Sequence, residues 1–373
     1  MVSPFLSRVG RVAQQAGWRP CFPHFLIPKR LDPVTIKDIA HALTLSTSTV
    51  SRALRDSYDV NPKTKRLVME YAERLNYRPN PLALSLKGSG SKTLAVIVPQ
   101  IANNYFSQAI NGIEAVAYNR GYYVIIFQTH ESYAREVANI QQVVARRFDG
   151  LLLSISSETT DVAHLHTLLE QGMPLVLFDR VAAELDVTQV VADNFGGAYA
   201  ATSHLLQTGR RRIAHLTIPP YMSIAQERLA GYRAALEQYG VPYDENLVRY
   251  GTFGPNEAAP LVDELLAVEP APDAFFTASE RLALGCLDAL HQRGVDVPGQ
   301  VALLSFTNSR SSHLLSPPLS TVTQPAHEIG QLAAERLIDL IERKHKSAPP
   351  SIVKLPTTLV VRESSRTLPK PVS

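Results

Sequence analysis

Cysteine is almost absent. The 373-residue chain has two, Cys21 and Cys286, too few and too far apart for a disulfide framework or a cysteine metal site. A reducing compartment fits that usage. Long apolar runs are missing too. None reaches the ~18–20 residues that a bilayer crossing needs, and Met1–Gly17 lacks the continuous apolar stretch of a signal peptide. No GxSxG elbow, Walker loop, HExxH pair or paired-cysteine zinc spacing occurs. The 11 histidines show no ligand spacing of known type; His164 and His166 would share a face on a strand but lie apart on a helix. These absences predict a cytoplasmic protein that is not an enzyme and has no cofactor, no metal site and no membrane span.

Hydrophobic residues make up 45% and charged residues 19%, ordinary values for a globular protein that buries a core. The length suggests two or three domains. The net charge of +3 hides an asymmetry. Residues 1–33 hold five Lys/Arg and one acid, and residues 34–92 hold ten and five. Residues 93–373 hold 22 Lys/Arg and 28 acids. A basic head on an acidic body predicts that the head alone meets a polyanion.

Residues 1–33 carry five prolines, Trp18 and scattered arginines without a clean period. They read as a disordered extension, as a transit-like stretch, or as sequence upstream of a true start near Val34. From Val34 short amphipathic helices begin. Thr35 and Asp38 form a capping-box pattern, with Ile36, Ile39, Ala40 and Leu43 on one face. Ser46 caps a second helix, Thr47–Leu54, with Val50, Ala53 and Leu54 inward. Asn61-Pro62 starts a third, running to about Asn76 and burying Leu67, Val68, Tyr71, Ala72 and Leu75. Pro79 and Pro81 stop it.

Beyond residue 93, strands and helices alternate. The strand candidates are Leu94–Val98, Tyr123–Phe127, Gly150–Ile155, Leu175–Phe178, Gln189–Ala192, Arg212–Ile218, Ala274–Thr277 and Val301–Phe306. Several are continuous aliphatic runs, as in parallel strands covered on both faces. About 270 residues exceed one comfortable core, so the body splits into two lobes. The expected fold is a small all-α helix-turn-helix head on a two-lobed α/β body of parallel sheets flanked by helices.

Helix Thr47–Leu54 has the chemistry for a major groove. Thr47 and Ser48 stand at its N-terminal end, and Arg52 offers a bidentate fork to guanine. Ser46, Thr49 and Ser51 suit phosphates, helped by free N–H groups at the helix start. Lys63, Lys65 and Arg66 are further phosphate candidates.

These residues lie in an ordered pattern. It runs Val34-Thr35-Ile36-Lys37-Asp38-Ile39-Ala40, Ser46-x-x-Thr49-Val50-Ser51-Arg52-Ala53-Leu54, Val60-Asn61-Pro62-x-Thr64 and Leu75-Asn76-Tyr77-x-Pro79-Asn80. It resembles the head of the lactose-repressor (LacI) family. The resemblance implies a sequence-specific DNA-binding regulator, a repressor, working in the bacterial nucleoid as a homodimer on a pseudo-palindromic operator. It adds Thr35 to the DNA-binding set. It reads Asn80–Lys87 as a hinge helix, with Asn80, Ala83, Leu86 and Lys87 at the minor groove and Leu86 as an apolar wedge. The family often has Ala-Gly-Val-Ser in the turn, where this chain has Leu43-Thr44-Leu45-Ser46. A slightly different turn is expected.

The body carries further matches: Asn104-Tyr105-Phe106, Phe178-Asp179-Arg180, Asp193-Asn194, Arg228-Leu229-Ala230-Gly231-Tyr232, Pro317-Pro318-Leu319, Thr321-Val322-x-Gln324-Pro325 and Val361-Arg362-Glu363-Ser364. Their pattern is similar to periplasmic sugar-binding proteins. It implies a small-molecule effector, a sugar or sugar phosphate, held between the lobes. Tyr105 and Phe106 would form an aromatic platform and Arg228 would grip the ligand. Ser279, Thr307, Gln324 and Phe253 join the set, and Asp193, at a lobe crossing, either contacts the ligand or shapes the hinge. Asp179 reads either as a strand-end cap or as a site residue. The family commonly has a carboxylate where this chain has Thr307, and an Asn/Asp pair where it has Ser279-Glu280. That departure weakens the case for a simple sugar. Two alternatives stand beside this reading: a transport-type binding protein, and a DNA-bound protein whose cleft binds nothing.

The expected boundaries are an extension at 1–33, a DNA-binding domain at 34–78, a hinge and linker at 79–92, an effector-binding and dimerisation domain at 93–365 and a tail at 366–373. Lobe one takes 93–192 and 325–353. Lobe two takes 193–322 and 354–365. The tail holds two prolines and no leucine heptad, which favours a dimer over a tetramer.

Overall fold

The computed structural model describes residues 34–54, 57, 59–75, 77, 90–253, 256–342 and 349–366. The extension at 1–33, the hinge positions Asn80, Ala83, Leu86 and Lys87, and the tail from 367 lie outside the described residues. The chain divides into two units, one ending at Ala83 and the other beginning at Leu84.

The first unit has three helices, α1 (Ile36–Ala42), α2 (Thr47–Leu54) and α3 (Pro62–Arg74). Each start is capped. The Thr35 N–H and hydroxyl both donate to Asp38 Oδ2 at 2.7 Å, and the Asp38 N–H returns to Thr35 Oγ1. Ser46 Oγ accepts from the Thr49 N–H at 3.1 Å, and Asn61 Oδ1 from the Lys63 N–H at 2.9 Å. These contacts satisfy N–H groups that the first helical turn leaves without partners. Ile39, Ala40, Val50, Ala53, Val60, Val68 and Ala72 form the core. Leu67, expected to be buried, is 49% exposed. It lies about 100° around α3 from Val68, off the inner face, while Tyr71 and Leu75 flank that face. In the α1–α2 turn Thr44 has φ +53°. The left-handed conformation that glycine adopts freely is thus held here by a β-branched residue.

The second unit contains two six-stranded sheets. The first holds β1 (Thr93–Val98), β2 (Tyr123–Gln128), β3 (Gly150–Leu153), β4 (Leu175–Phe178), β5 (Thr188–Ala192) and β11 (Ile352–Leu355). The second holds β6 (Ile213–Thr217), β7 (Val248–Tyr250), β8 (Ala274–Thr277), β9 (Ala302–Phe306), β10 (Ser320–Thr323) and β12 (Thr358–Val360). Their orders are β11-β5-β4-β3-β1-β2 and β12-β10-β9-β8-β6-β7. All pairings are parallel except β10 with the edge strand β12. The 2-1-3-4-5 order therefore recurs in each sheet. It is a doubly wound arrangement whose ligands sit outside the strand C-termini.

Helices α4 (Asn104–Asn119), α5 (Tyr133–Ala145), α6 (Ala163–Glu170) and α11 (Ala326–Glu342) flank the first sheet. Helices α7 (Asn194–Gln207), α8 (Ser223–Gln238), α9 (Ala258–Leu266) and α10 (Glu280–Gln292) flank the second. Each sheet is covered by an apolar cluster on both faces, which explains the aliphatic runs of β1, β3, β4 and β9. The chain passes between sheets at Asp193, at Gln324-Pro325 and at residues 356–357. β11 runs to Leu355, two residues past the expected lobe boundary.

Four strands were not among the sequence candidates. β7 and β12 have three residues each, β10 is Ser/Thr-rich, and β11 is an edge strand of mixed polarity. None has the aliphatic run that marks a strand covered on both faces. β2 departs in the other direction. It is apolar in sequence, yet Tyr123 is 77% and Ile125 46% exposed. No helix among the described residues is long and apolar enough to cross a membrane.

Candidate functional sites

On the first unit, Thr47, Ser48 and Arg52 are exposed along α2, while Thr49 and Ser51 are half-buried. Ser46 Oγ lies 2.7 Å from Ser48 Oγ and 2.8 Å from Thr49 Oγ1, a hydroxyl cluster at the helix start. Arg52 is not a free fork. Its Nη1 bonds Asp59 Oδ2 at 2.8 Å, and its Nε reaches the Ser48 carbonyl at 3.4 Å. The bidentate guanine contact expected from sequence requires that pairing to open. Ser57 holds the other oxygen of Asp59 at 2.5 Å, so the loop before α3 positions the arginine. Nothing in the sequence spacing of seven residues announced this contact.

On the second unit, two contiguous chambers open between the sheets at their strand C-termini. The inner one is lined by residues that follow β1, β4, β6, β8, β9 and β10, with α8 supplying Arg228. Tyr105, Phe106, Phe253, Arg228, Ser279, Thr307 and Gln324 all line it. Asp193 does not. Its Oδ1 accepts the Gly196 N–H at 2.9 Å as the cap of α7, and its N–H donates to Leu355 at 2.7 Å. It caps a helix at an interlobe crossing, the place of the hinge reading, and is not among the lining residues.

Arg228 is buried inside the chamber. Its Nε donates to Asn194 Oδ1 at 2.9 Å, its Nη1 to the Ala278 carbonyl, and its guanidinium lies 4.0 Å from the centre of the Phe306 ring. Burial lowers the guanidinium to about 10, with Asp179 pulling the other way. Asp179 is buried beside it with φ +61°. Desolvation pushes that carboxyl above the usual range, and Arg180 and Arg228 draw it partly back. Arg180 clamps Glu131 through two bonds of 2.6 and 3.1 Å. Burial is the largest single influence and would raise the Glu131 carboxyl, but the Arg180 charge and the hydrogen bonds from Arg180 and Ser157 together outweigh it and hold it low. Arg180 also faces the Phe253 ring at 4.8 Å.

Three polar atoms of the lining are buried with no hydrogen-bond partner in good geometry, Tyr105 Oη, Arg180 Nε and Gln324 Nε2, although the Asp179 carboxyl lies close enough to Tyr105 to act on its hydroxyl. Buried polar groups are normally hydrogen-bonded. The inner chamber offers about 70 Å³ and the outer one about 570 Å³. A ring-sized ligand needs more than the inner value, since binding pockets run ~300–1,000 Å³. The outer chamber has that room, whereas seating a ring in the inner one would need the lobes to part. They are held by Asn104 Nδ2 to Glu280 Oε1 at 2.9 Å, Gln108 Nε2 to the Asn308 carbonyl at 3.1 Å, and Tyr221 Oη to the Ser157 carbonyl at 2.6 Å. Sequence reasoning gave no role to Glu280, Asn194, Phe306 or the Glu131–Arg180 pair. Asn194 and Arg180 sat inside quoted motifs, and Glu280 entered only as a departure from the family pattern. The others become neighbours through sheet topology.

Residues 35–80 match the model of the lacI family of bacterial regulatory proteins, and residues 202–365 match a periplasmic binding protein-like domain. The chain is 32% identical over 91% of its length to the HTH-type transcriptional repressor CytR of Escherichia coli K12, covering 99% of that protein. The chain belongs to the lacI family. It is 31% identical to the repressor PurR of Vibrio parahaemolyticus, over 90% of this chain and 99% of that one. A solved complex of the transcriptional regulator CelR with cellobiose matches with a TM-score of 0.68 and 31% identity, over 89% of this chain and 99% of that one. Members of this family are DNA-binding transcription regulators, and the family match at residues 35–80 covers α1, α2 and α3 of this lacI-family chain.

Arg52→Ala is expected to weaken operator binding by about 1–3 kcal/mol and relax preference at one base position. Asp59→Ala, which frees the fork, should leave specificity at that position intact. Competition binding on a site selected from random DNA measures both. Unchanged affinity and selectivity in Arg52→Ala would remove this arginine from the base contacts.

Proposed function

We propose that this chain is a transcriptional repressor whose DNA affinity is set by a small molecule closing on the chamber around Arg228. The observation that carries this reading is the convergence of buried, partly unsatisfied polar groups on an aromatic-walled chamber between two lobes: Tyr105 Oη, Gln324 Nε2 and Arg228, beside Phe106, Phe253 and Phe306. Aromatic faces carry a ring, and the polar atoms orient it. A ligand that prefers one interlobe angle shifts the population of that angle. Two copies act on one pseudo-palindrome, because one head makes too few base contacts for genomic specificity. The uncovered face of β2, with Tyr123, Ile125 and nearby Tyr118, supports pairing through the first lobe.

Selection of bound DNA from a random pool, with and without metabolites, tests the function. A compound at 100 times its Kd should stabilise the chain by about 2.7 kcal/mol in a thermal-shift screen. DNA selection that returns no enriched sequence would sink the reading.

The hinge supplies a second test. Leu86, by its place in the resemblance, enters a minor-groove step and unstacks it. Leu86→Ala should weaken specific binding by roughly tenfold or more and reduce bending. Salt-sensitive, non-specific binding should hardly change, because it rests on phosphate contacts. A bending-sensitive mobility shift at fixed salt decides between them, and a variant that bends the operator like the parent refutes the wedge.

A further inference from the structure

Glu280 opens α10, and its carboxylate reaches both sides of the cleft. Oε2 accepts from Thr307 Oγ1 at 2.9 Å within the second lobe. Oε1 accepts from Asn104 Nδ2 at 2.9 Å on α4 of the first lobe. The sequence has threonine at 307, where the family pattern has a carboxylate. The structure brings a carboxylate back to that place from the end of the adjacent strand, seated on the threonine itself. Glu280 walls both the inner and the outer chamber, so every molecule passing between them meets it.

Resting on the reading of this cleft as the effector site, we propose that Glu280 latches the empty lobes together and sets the class of effector. It admits uncharged or cationic ring compounds that donate hydrogen bonds, and it rejects phosphorylated or carboxylated ones. An ionised carboxylate is an acceptor only. A ligand hydroxyl or amino group can take over the bond that Asn104 gives up as the lobes part. An anion cannot, and it brings like charge against a half-buried carboxylate.

The nearby cations offset this preference only in part, because each already has a partner, Arg180 keeping one buried Nε–H without one. Arg180 is clamped to Glu131. Arg228 is held by Asn194, Ala278 and the Phe306 ring. Arg281 lies 4.0 Å from Glu257. The groups holding Glu280, an amide and a hydroxyl, are neutral. Three guanidinium groups and four carboxyl groups line the two chambers, which gives no surplus of positive charge to receive a phosphate.

The test uses the full chain and two measurements. Hydrogen exchange is followed in the ligand-free parent and in Glu280→Ala, at residues 104–108 on α4, across the cleft from the substitution. The latch predicts at least threefold faster exchange there, with α6 unchanged as an internal control of folding. Thermal shift is then read for pentoses, hexoses and nucleosides, each beside its phosphate monoester, on the parent and on Glu280→Gln, which keeps the shape and removes the charge. The parent should bind a neutral compound and prefer it over its ester by at least tenfold. Glu280→Gln should bring that preference to within about threefold, converging on equal binding as the charge is lost. Unchanged exchange at 104–108 overturns the latch. Esters that bind the parent as well as their neutral forms, or an undiminished preference in Glu280→Gln, overturn the selectivity. If no compound binds the parent, the selectivity falls together with the cleft reading, and the exchange measurement alone judges the latch.

Discussion

Arg228→Ala should abolish the effector response while leaving specific DNA binding by the ligand-free protein largely intact. The side chain does three things at once. It donates to Asn194 and to the Ala278 carbonyl, it covers the Phe306 ring, and it sits near the buried Asp179. Removing it leaves two acceptors without their donor and takes away a charge that keeps the Asp179 carboxyl from climbing further. The expected stability loss is about 2–4 kcal/mol, the range for breaking a buried, hydrogen-bonded charge site. Loss of ligand affinity should exceed ~100-fold, since a charge-assisted bond and a stacked plane disappear together. The base contacts expected of α2 lie on the first unit and should survive in the folded fraction. Arg228→Lys should rescue stability in part but not the response, because a lysine cannot bond in two directions while lying flat on an aromatic ring. Titration of an identified effector against both variants checks this, and normal affinity in either would place Arg228 outside the ligand contacts.

The second large effect concerns the joint between α4 and α11. A Cβ built on Gly112 would lie 2.0 Å from the His327 carbonyl oxygen, and one on Gly330 would lie 2.0 Å from the Ala109 carbonyl oxygen. Each helix contributes a glycine where the other's backbone passes. In an isolated helix, glycine to alanine gains roughly 1 kcal/mol. Here the sign reverses, because the obstruction is backbone and cannot rotate away. Gly112→Ala should destabilise the body by about 2–4 kcal/mol through forced separation of the helices. The Gly112→Ala, Gly330→Ala pair should cost less than the two changes summed, since one separation relieves both clashes. Denaturant unfolding of the single and double variants measures this. A Gly112→Ala protein as stable as the parent would contradict the close approach.

The head was legible almost throughout. Thr35, Ser46 and Asn61 cap the helices at the expected places, and the inner faces at Ile39, Val50 and Val68 follow the helical period. Caps and periodicity are local properties, written within four residues of where they act. Leu67 shows the limit: an apolar residue beside a core face was read as part of it. In the body, the aliphatic strands were legible for the same reason, while β10 and β12 were not. Their pairing partners lie on distant strands, and no local pattern of Ser320-Thr321-Val322-Thr323 distinguishes a central strand from a loop.

The cleft divides along the same line. Tyr105, Phe106, Arg228, Ser279, Thr307 and Gln324 were named from their places in motifs, and they line one chamber. Asp193, read as touching the ligand or shaping the hinge, caps α7 at the crossing and stands outside the chamber lining. Glu280 was given no role because its significance depends on Asn104, 176 residues earlier.

The sequence by itself determined the class of molecule: a basic three-helix head with hydroxyl groups at the start of its second helix, and an acidic body of alternating strands and helices. These follow from composition, capping and hydrophobic period, which act along the chain. Only the tertiary structure decided which polar groups meet across the cleft, that Arg52 is held by Asp59, and that glycine is required at positions 112 and 330. Those are distances between segments far apart in sequence, created when two sheets bury their faces and bring the ends of non-adjacent strands to one place.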